Sequence, residues 1–421
     1  MKRVLLVTYG GGHVAMMIPI IREMKSRGIC HITVLGLTTA GPRLQQEGIP
    51  YLGFADLVEP YDDDALEKGR QLAAENHTQG TGIPFAETVA YLGLSYADLE
   101  ERVGIEQAKL DYNERKRQAF LPKGPLKRLL SRVQPDLVVA TSSPRAERAA
   151  IMAAQAMGIP SVSIIDLFGR EWPFLFEAGY ADRVLVMSDL VRDDFLSRGR
   201  GANEIVVTGN PAFDRLWALT VRKESRRWRD SVDPHQERKV VLWTATSILE
   251  DRDRLEILKS LGELATKRPD LAIVYRPHPN TVANFSDLPA GVIAANNRVD
   301  CAAQIAGSDV VLVTVSTTGI EAALLDKPVI KMSFTNPEYR VYADSYPRCD
   351  AMAPYESMGI AHRIDRLEQL ESAIDEVTSP GPVAETLQIA RNELPAAGDA
   401  AGRVVDALED VMQTDRFKRV A

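Results

Sequence analysis

Short apolar runs bounded by glycine or proline alternate along this chain with amphipathic stretches of helical length. That is the pattern of βα units stacked into a parallel sheet, whose strands are buried on both faces and so read as Val, Ile and Leu runs. The fold class is α/β. In the first half the pattern predicts strands at Val4–Thr8, His31–Leu35, Leu137–Ala140, Ser161–Ile165, Arg183–Met187 and Glu204–Thr208, with helices over Met16–Arg27, Ala146–Met157 and Leu190–Arg198. In the second half it predicts strands at Val240–Thr244, Leu271–Tyr275, Gly291–Ala294, Val310–Val313 and Pro328–Met332. Helices are expected around Arg252–Lys267, Ala302–Ala306 and Gly319–Leu325, and a C-terminal cover over Val383–Leu394 and Gly402–Met412.

The second series repeats the architecture of the first without any short sequence repeat, so it duplicates a fold pattern and is not a solenoid. The expected organisation is an N-terminal domain over 1–215, a linker over the highly charged 216–239, a C-terminal domain over 240–395 and a terminal helix over 396–421. Residues 61–122 break the rhythm with an acidic run, Asp62–Asp64, and a charged helical stretch, Tyr96–Gln118. They are expected to be an insertion over the first domain's ligand face, the acidic run being a solvated loop and not a metal site. Lys123–Arg132 follows as a short basic amphipathic helix that could meet a lipid-linked acceptor at a membrane surface, or be no more than a solvated face.

Composition narrows the classes. With 421 residues, 45% hydrophobic and 26% charged, the chain has length for a core in each of two domains. A net charge of −8 argues against a partner bound through nucleic-acid phosphates. Cys30, Cys301 and Cys349 are too few and too scattered for a disulfide framework or a zinc site. The N-terminal apolar run is too short for a signal-peptide core, and the stretch Ala149–Ile165 is broken by Gln155, Gly158 and Pro160. A cytoplasmic location is expected, with peripheral contact at the inner face of the membrane through residues 123–132.

Ligands of open α/β sheets bind beyond the carboxyl ends of strands, so the loops after strands are where chemistry belongs. Four qualify. Gly10, Gly11, Gly12 and His13 follow the first strand: the glycines let backbone approach a ligand, and His13 suits a general base that deprotonates a hydroxyl, with capping of the helix as its bland alternative. Thr244, Thr246 and Ser247 follow the first strand of the second half and offer hydroxyls to phosphate oxygens. Arg276 and His278 stand in an Arg-Pro-His-Pro-Asn loop whose prolines stiffen them for an anion. Ser316, Thr317, Thr318 and Gly319 open a helix whose first turn carries Glu321, suited to phosphate and to ribose hydroxyls, or simply to capping. Three anion-suited loops in one domain describe a nucleotide-phosphate site. GxGxxG and GxxxxGK[ST] are both missing from the sequence, so dinucleotide-dependent hydride transfer and P-loop chemistry are poorly supported.

This set resembles the GT-B glycosyltransferases. Gly10–His13 before an apolar helix resembles the glycine-rich loop and histidine of the peptidoglycan N-acetylglucosaminyltransferase and its relatives. Val206–Pro211 is similar to the hinge-side motif of the non-hydrolysing UDP-N-acetylglucosamine 2-epimerases, which adds Asn210 to the donor side. Arg276–Asn280 with Ser316–Glu321 resembles the His-Pro and Ser-Ser/Thr…Glu pair of CDP-glycerol, Kdo and sialic-acid-type transferases. The resemblance implies two Rossmann-like doubly wound parallel-sheet domains facing across a cleft, acceptor side first and donor side second. It implies an inverting transfer, without a metal, from a nucleotide-sugar to a hydroxyl on a glycan or lipid-linked acceptor in polysaccharide biosynthesis. The epimerases' His-Val-Glu-Ala-Gly segment has no counterpart where Ser161–Phe168 stands. Asp166, at that strand's end, becomes a second candidate for catalysis beside His13, or else a helix cap. An epimerase and a non-catalytic nucleotide-sugar-binding scaffold are the rival functions.

Overall fold

A computed structural model describes residues 1–77, 80–170, 172–246, 251–278, 288–314, 316–333, 358–394 and 398–414. The chain divides into two compact units, Met1–Ala212 with Asp399–Ala421, and Phe213–Gly398.

In the first unit the elements run β1 (Lys2–Thr8), α1 (Gly12–Arg27), β2 (Cys30–Gly36), α2 (Ala40–Gln46), α3 (Asp63–Asn76), α4 (Phe85–Val103), α5 (Ile105–Arg115), α6 (Lys123–Val133), β3 (Leu137–Thr141), α7 (Ala146–Ala156), β4 (Ser161–Ile164), β5 (Arg183–Val186), α8 (Asp189–Ser197) and β6 (Ile205–Val207). Among the described residues its six strands are all parallel, in the order β2-β1-β3-β4-β5-β6. All five residues of β3 are buried, as a strand covered on both faces requires.

The second unit runs α9 (Leu219–Val232), β7 (Lys239–Thr244), α10 (Asp251–Lys267), β8 (Leu271–Arg276), β9 (Val292–Ala294), α11 (Cys301–Gly307), β10 (Val310–Val313), α12 (Thr318–Leu324), β11 (Val329–Met332), β12 (His362–Ile364), α13 (Leu370–Thr378) and α14 (Pro382–Asn392). Its parallel sheet has the order β12-β11-β10-β7-β8-β9. The last helix, α15 (Ala400–Gln413), returns to the first unit. There Val404, Val405, Leu408 and Val411 join Met17, Ile20 and Met24 of α1 in one core, and Arg27 reaches Asp406 at 2.5 Å. Each such buried side chain contributes up to about 1.5–3 kcal/mol.

Two features differ from the sequence expectations. The charged segment 216–239 contains α9, whose Val221, Ser225, Trp228 and Val232 are buried at helical spacing. Arg229 of α9 bonds the Gly307 carbonyl at 3.1 Å and Asp309 at 2.6 Å, so this helix belongs to the second unit. Asp62 is not solvated: it is buried and takes a two-pronged bond from Arg128 of α6. The apolar side chains of α6, Leu126, Leu129 and Leu130, are buried in the fold. No helix among the described residues is long and apolar enough to cross a membrane. Cys349 lies outside the described residues.

Candidate functional site

Each sheet has one place where neighbouring strands carry their connections away in opposite directions, and a crevice forms at the carboxyl ends there. In the first unit it lies between β1 and β3. The loops after these two strands, with the segment after β4, hold the titratable cluster.

Gly11 takes a left-handed φ of 65° before α1 begins, a conformation glycine adopts without cost. A Cβ on Gly10 would overlap Thr39 Oγ1, and one on Gly12 would stand 3.4 Å from Asp166 Oδ2. His13, in the first turn of α1, places Nδ1 2.8 Å from Thr141 Oγ1 at the end of β3. Thr141 in turn donates to Glu147 Oε1. Glu147 is wholly buried and also accepts the Tyr9 and Ser143 amides, each at 2.6 Å.

These bonds assign the protons. Thr141 has one hydroxyl hydrogen and gives it to Glu147, so toward His13 it offers only a lone pair. Nδ1 must then be the donor, and Nε2 is the basic nitrogen of the neutral ring. Nε2 lies 3.9 Å from Asp166 Oδ2, with the His13 side chain 21% exposed. Asp166 is itself placed by its backbone N–H, which donates to Ser142 Oγ at 2.9 Å. The structure thus brings His13 and Asp166 together, and adds Thr141 and Glu147, which the sequence reading missed. The available signal was Glu147 in the first turn of a helix after Ser142-Ser143-Pro144, where a carboxylate reaches back to free amides. Tyr91 of α4 puts its hydroxyl 3.2 Å from that of Tyr9, and the Arg145 guanidinium lies 4.9 Å from the Tyr9 ring centre.

In the second unit the corresponding place lies between β7 and β10. Thr244 Oγ1 is 2.7 Å from Thr318 Oγ1, which is 2.8 Å from Ser316 Oγ, so three hydroxyls form a chain across it. Thr246 follows on the same loop, and Thr317 and Gly319 flank Thr318 at the start of the seven-residue α12. Ser247, like Pro279 and Asn280, lies outside the described residues.

Arg276 spends Nη1 on the Val299 carbonyl at 3.1 Å and Gln304 Oε1 at 2.7 Å. It therefore organises the segment leading into α11. Burial lowers the pKa of His278, which favours its neutral ring. Arg215 donates from Nη2 to Glu321 Oε1 at 2.9 Å and from Nη1 to Asp300 Oδ1 at 3.0 Å. Glu321 Oε2 is shielded from solvent and has no partner among the described residues. Burial pushes the Glu321 carboxyl up against the pull of Arg215, and Asp300 pushes it the same way. Arg215, expected only as a domain end, is thus part of this cluster. Asn210 belongs to the first unit, where its Oδ1 accepts the Ala212 amide at 2.9 Å and shapes the turn after β6.

No family model matches the chain, and no curated protein matches it in sequence. Among solved structures it is similar to the UDP-GlcNAc 2-epimerase of Methanocaldococcus jannaschii, with 15% identity, a TM-score of 0.58, and coverage of 97% of this chain and 99% of that one. It is similar to the Neisseria meningitidis UDP-GlcNAc 2-epimerase bound to UDP-GlcNAc, with 16% identity, a TM-score of 0.56, and coverage of 97% and 100%. It is also similar to CalG4, a calicheamicin glycosyltransferase, with 14% identity, a TM-score of 0.59, and coverage of 99% of each chain. The chain has the GT-B fold, with two Rossmann-like parallel-sheet units.

Proposed function

We propose that this protein is a glycosyltransferase that moves a sugar from a nucleotide-activated donor to a hydroxyl on a glycan or lipid-linked acceptor, with inversion and without a metal. The proton order at His13 carries the reading. Nε2, the basic nitrogen, takes the acceptor's proton as the hydroxyl oxygen attacks the anomeric carbon. The bond to the donor phosphate breaks, and the phosphate leaves with the electron pair. The imidazolium so formed has Asp166 beside Nε2 and, through Thr141, the buried Glu147 beyond Nδ1.

In this reading the hydroxyls of Thr244, Thr246, Ser247, Ser316, Thr317 and Thr318, the Gly319 backbone, Arg276 and His278 receive the donor's phosphate, where fixed donors would stabilise the growing charge. Glu321 receives its ribose. The GT-B fold and the similarity to structures holding UDP-GlcNAc support a nucleotide-sugar as the donor.

A second reading, 2-epimerisation of UDP-N-acetylglucosamine, is favoured by the full-length likeness to epimerases. One experiment separates them: the protein is incubated with nucleotide-sugars alone, then with a panel of hydroxyl acceptors, and products are followed by NMR. Transfer predicts a glycoside with inverted anomeric configuration only when acceptor is present, undiminished by chelator. A C2 epimer formed from the donor alone overturns it. For His13→Ala, loss of roughly 10²–10⁴-fold in rate is expected with donor binding retained; a binding scaffold shows no turnover to lose.

A further inference from the structure

Beyond the end of β2, at the edge of the first unit's sheet, lies a cavity of about 580 Å³ whose wall includes Gly41, Gln45, Tyr51, Gly53, Asp56 and Glu87. Its size is within the range of small-molecule sites. Among the described residues, none of those that line it is Lys, Arg or His. Prolines from three separate segments, Pro42, Pro50 and Pro84, supply rigid apolar wall.

The two carboxylates converge on one short turn, Phe54–Leu57. Glu87 accepts the Phe54 amide at 2.8 Å and the Ala55 amide at 2.9 Å, and Asp56 accepts the Gly53 amide at 2.7 Å. A side chain on Gly53 would overlap the Glu87 carboxylate, so glycine there is what lets it sit against the turn. Among the described residues neither carboxylate has an ion-pair partner; Arg132 donates to the backbone carbonyl of Asp56. The unbalanced charge is felt by its neighbours. Burial raises the Glu87 carboxyl, with Asp56 adding to the shift; burial also raises the Tyr51 phenol, and Glu87 and then Asp56 push it further.

A cavity with two held carboxylates, an aromatic wall residue and no cation repels phosphates and carboxylates and attracts a positive charge. We infer that it is a second small-molecule site, built from residues other than the His13 cluster, that takes a ligand presenting a protonated amine to Asp56 and Glu87 with its body against Tyr51 and the prolines. The inference does not depend on the transfer reading.

Calorimetric titration of the full chain with benzylamine, benzyl alcohol and benzoate tests it. Benzylamine is expected to bind at least roughly tenfold more tightly than the alcohol, as a charge-assisted contact implies, and benzoate not at all. Asp56→Asn and Glu87→Gln are each expected to weaken the amine by roughly tenfold, and His13→Ala to leave it unchanged. Because Glu87→Gln also weakens the bonds that hold the turn, Gln45→Glu at the exposed rim provides a gain: it is expected to tighten amine binding, which misfolding would not do. The proposal is overturned if the three probes bind alike, if the amine's affinity ignores both Asp56→Asn and Gln45→Glu, or if no heat appears at about 10 mM amine, where even a millimolar site fills.

Discussion

Arg128 and Asp62 meet in a two-pronged ion pair, Nη1 to Oδ1 at 3.0 Å and Nη2 to Oδ2 at 2.9 Å. An acidic run and a basic helix that read separately as surface features are thus partners, and the pair fastens α6 to the start of α3. Asp62 is nearly buried and Arg128 is 29% exposed, so the pair sits between the surface and interior regimes. Arg128→Ala is expected to cost about 1–3 kcal/mol, chiefly by leaving a buried carboxylate without its partner. Denaturant unfolding of the variant measures this. With Leu126, Leu129 and Leu130 in the core, α6 has only its basic face to offer an anionic surface, so membrane contact predicts that Lys127→Ala weakens cosedimentation with anionic vesicles, and an unchanged cosedimentation leaves the helix a solvated face.

Thr141 is a positioning residue for His13, and its role is separable from bulk. Thr141→Val keeps the volume of the side chain and removes the hydroxyl that accepts from Nδ1. A hydrogen bond to a charged group is worth about 1.5–3 kcal/mol, so loss of roughly tenfold or more in kcat is expected. The imidazolium loses an acceptor, so the acid limb of the pH–rate profile is expected to move to lower pH while the plateau falls. A fall in rate with an unmoved limb would reduce Thr141 to a packing role.

What was legible in the sequence follows from burial. Strands such as Val310–Val313 are covered on both faces and announce themselves as apolar runs, and the loops after them could be searched for chemistry. β12 did not, since its three residues pair along only one side and place one apolar residue, Ile364, in the core. α9 was hidden by its charge, although Val221, Ser225, Trp228 and Val232 keep helical spacing beneath it. Glu147 needed the strand order: only when β1 and β3 are neighbours does the carboxylate of one loop meet the histidine of the other. Arg215 likewise becomes a partner of Glu321 only in three dimensions.

Glu321 sets a pH dependence whose sign can be worked out. Burial raises its folded-state pKa above that of the unfolded chain, against the attraction of Arg215. The folded state therefore holds the proton over a pH range where the unfolded state has released it. Stability from this group is fully present below the ordinary carboxylate pKa and is lost as pH rises through the raised value. Glu321→Gln stays neutral and can still meet Arg215, so the difference in Tm, variant minus wild type, is expected to grow from pH 4 upward and then level off. Thermal melts across that range check it; a difference that shrinks with rising pH would mean the Arg215 pair outweighs burial.

Gly69 of α3 and Gly93 of α4 let two helices of the 61–122 segment touch backbone to backbone. A Cβ on Gly69 would overlap the Val89 carbonyl and stand 3.0 Å from Gly93 Cα, while one on Gly93 would overlap the Ala65 carbonyl. Backbone atoms within helices cannot rotate away as a side chain can, so relief requires the helices to separate. Alanine at an exposed helical site usually gains about 1 kcal/mol over glycine through its propensity. Here the overlap is expected to reverse that sign, with Gly93→Ala costing about 1–3 kcal/mol as overpacked contacts do. Because α4 also carries Tyr91 to the hydroxyl of Tyr9, separation would be felt at the loop that leads to His13. The variant is therefore expected to lose activity at temperatures where far-ultraviolet circular dichroism still reports a folded chain, with partial recovery on cooling. A stabilised Gly93→Ala protein would show that the two helices have room the geometry denies them.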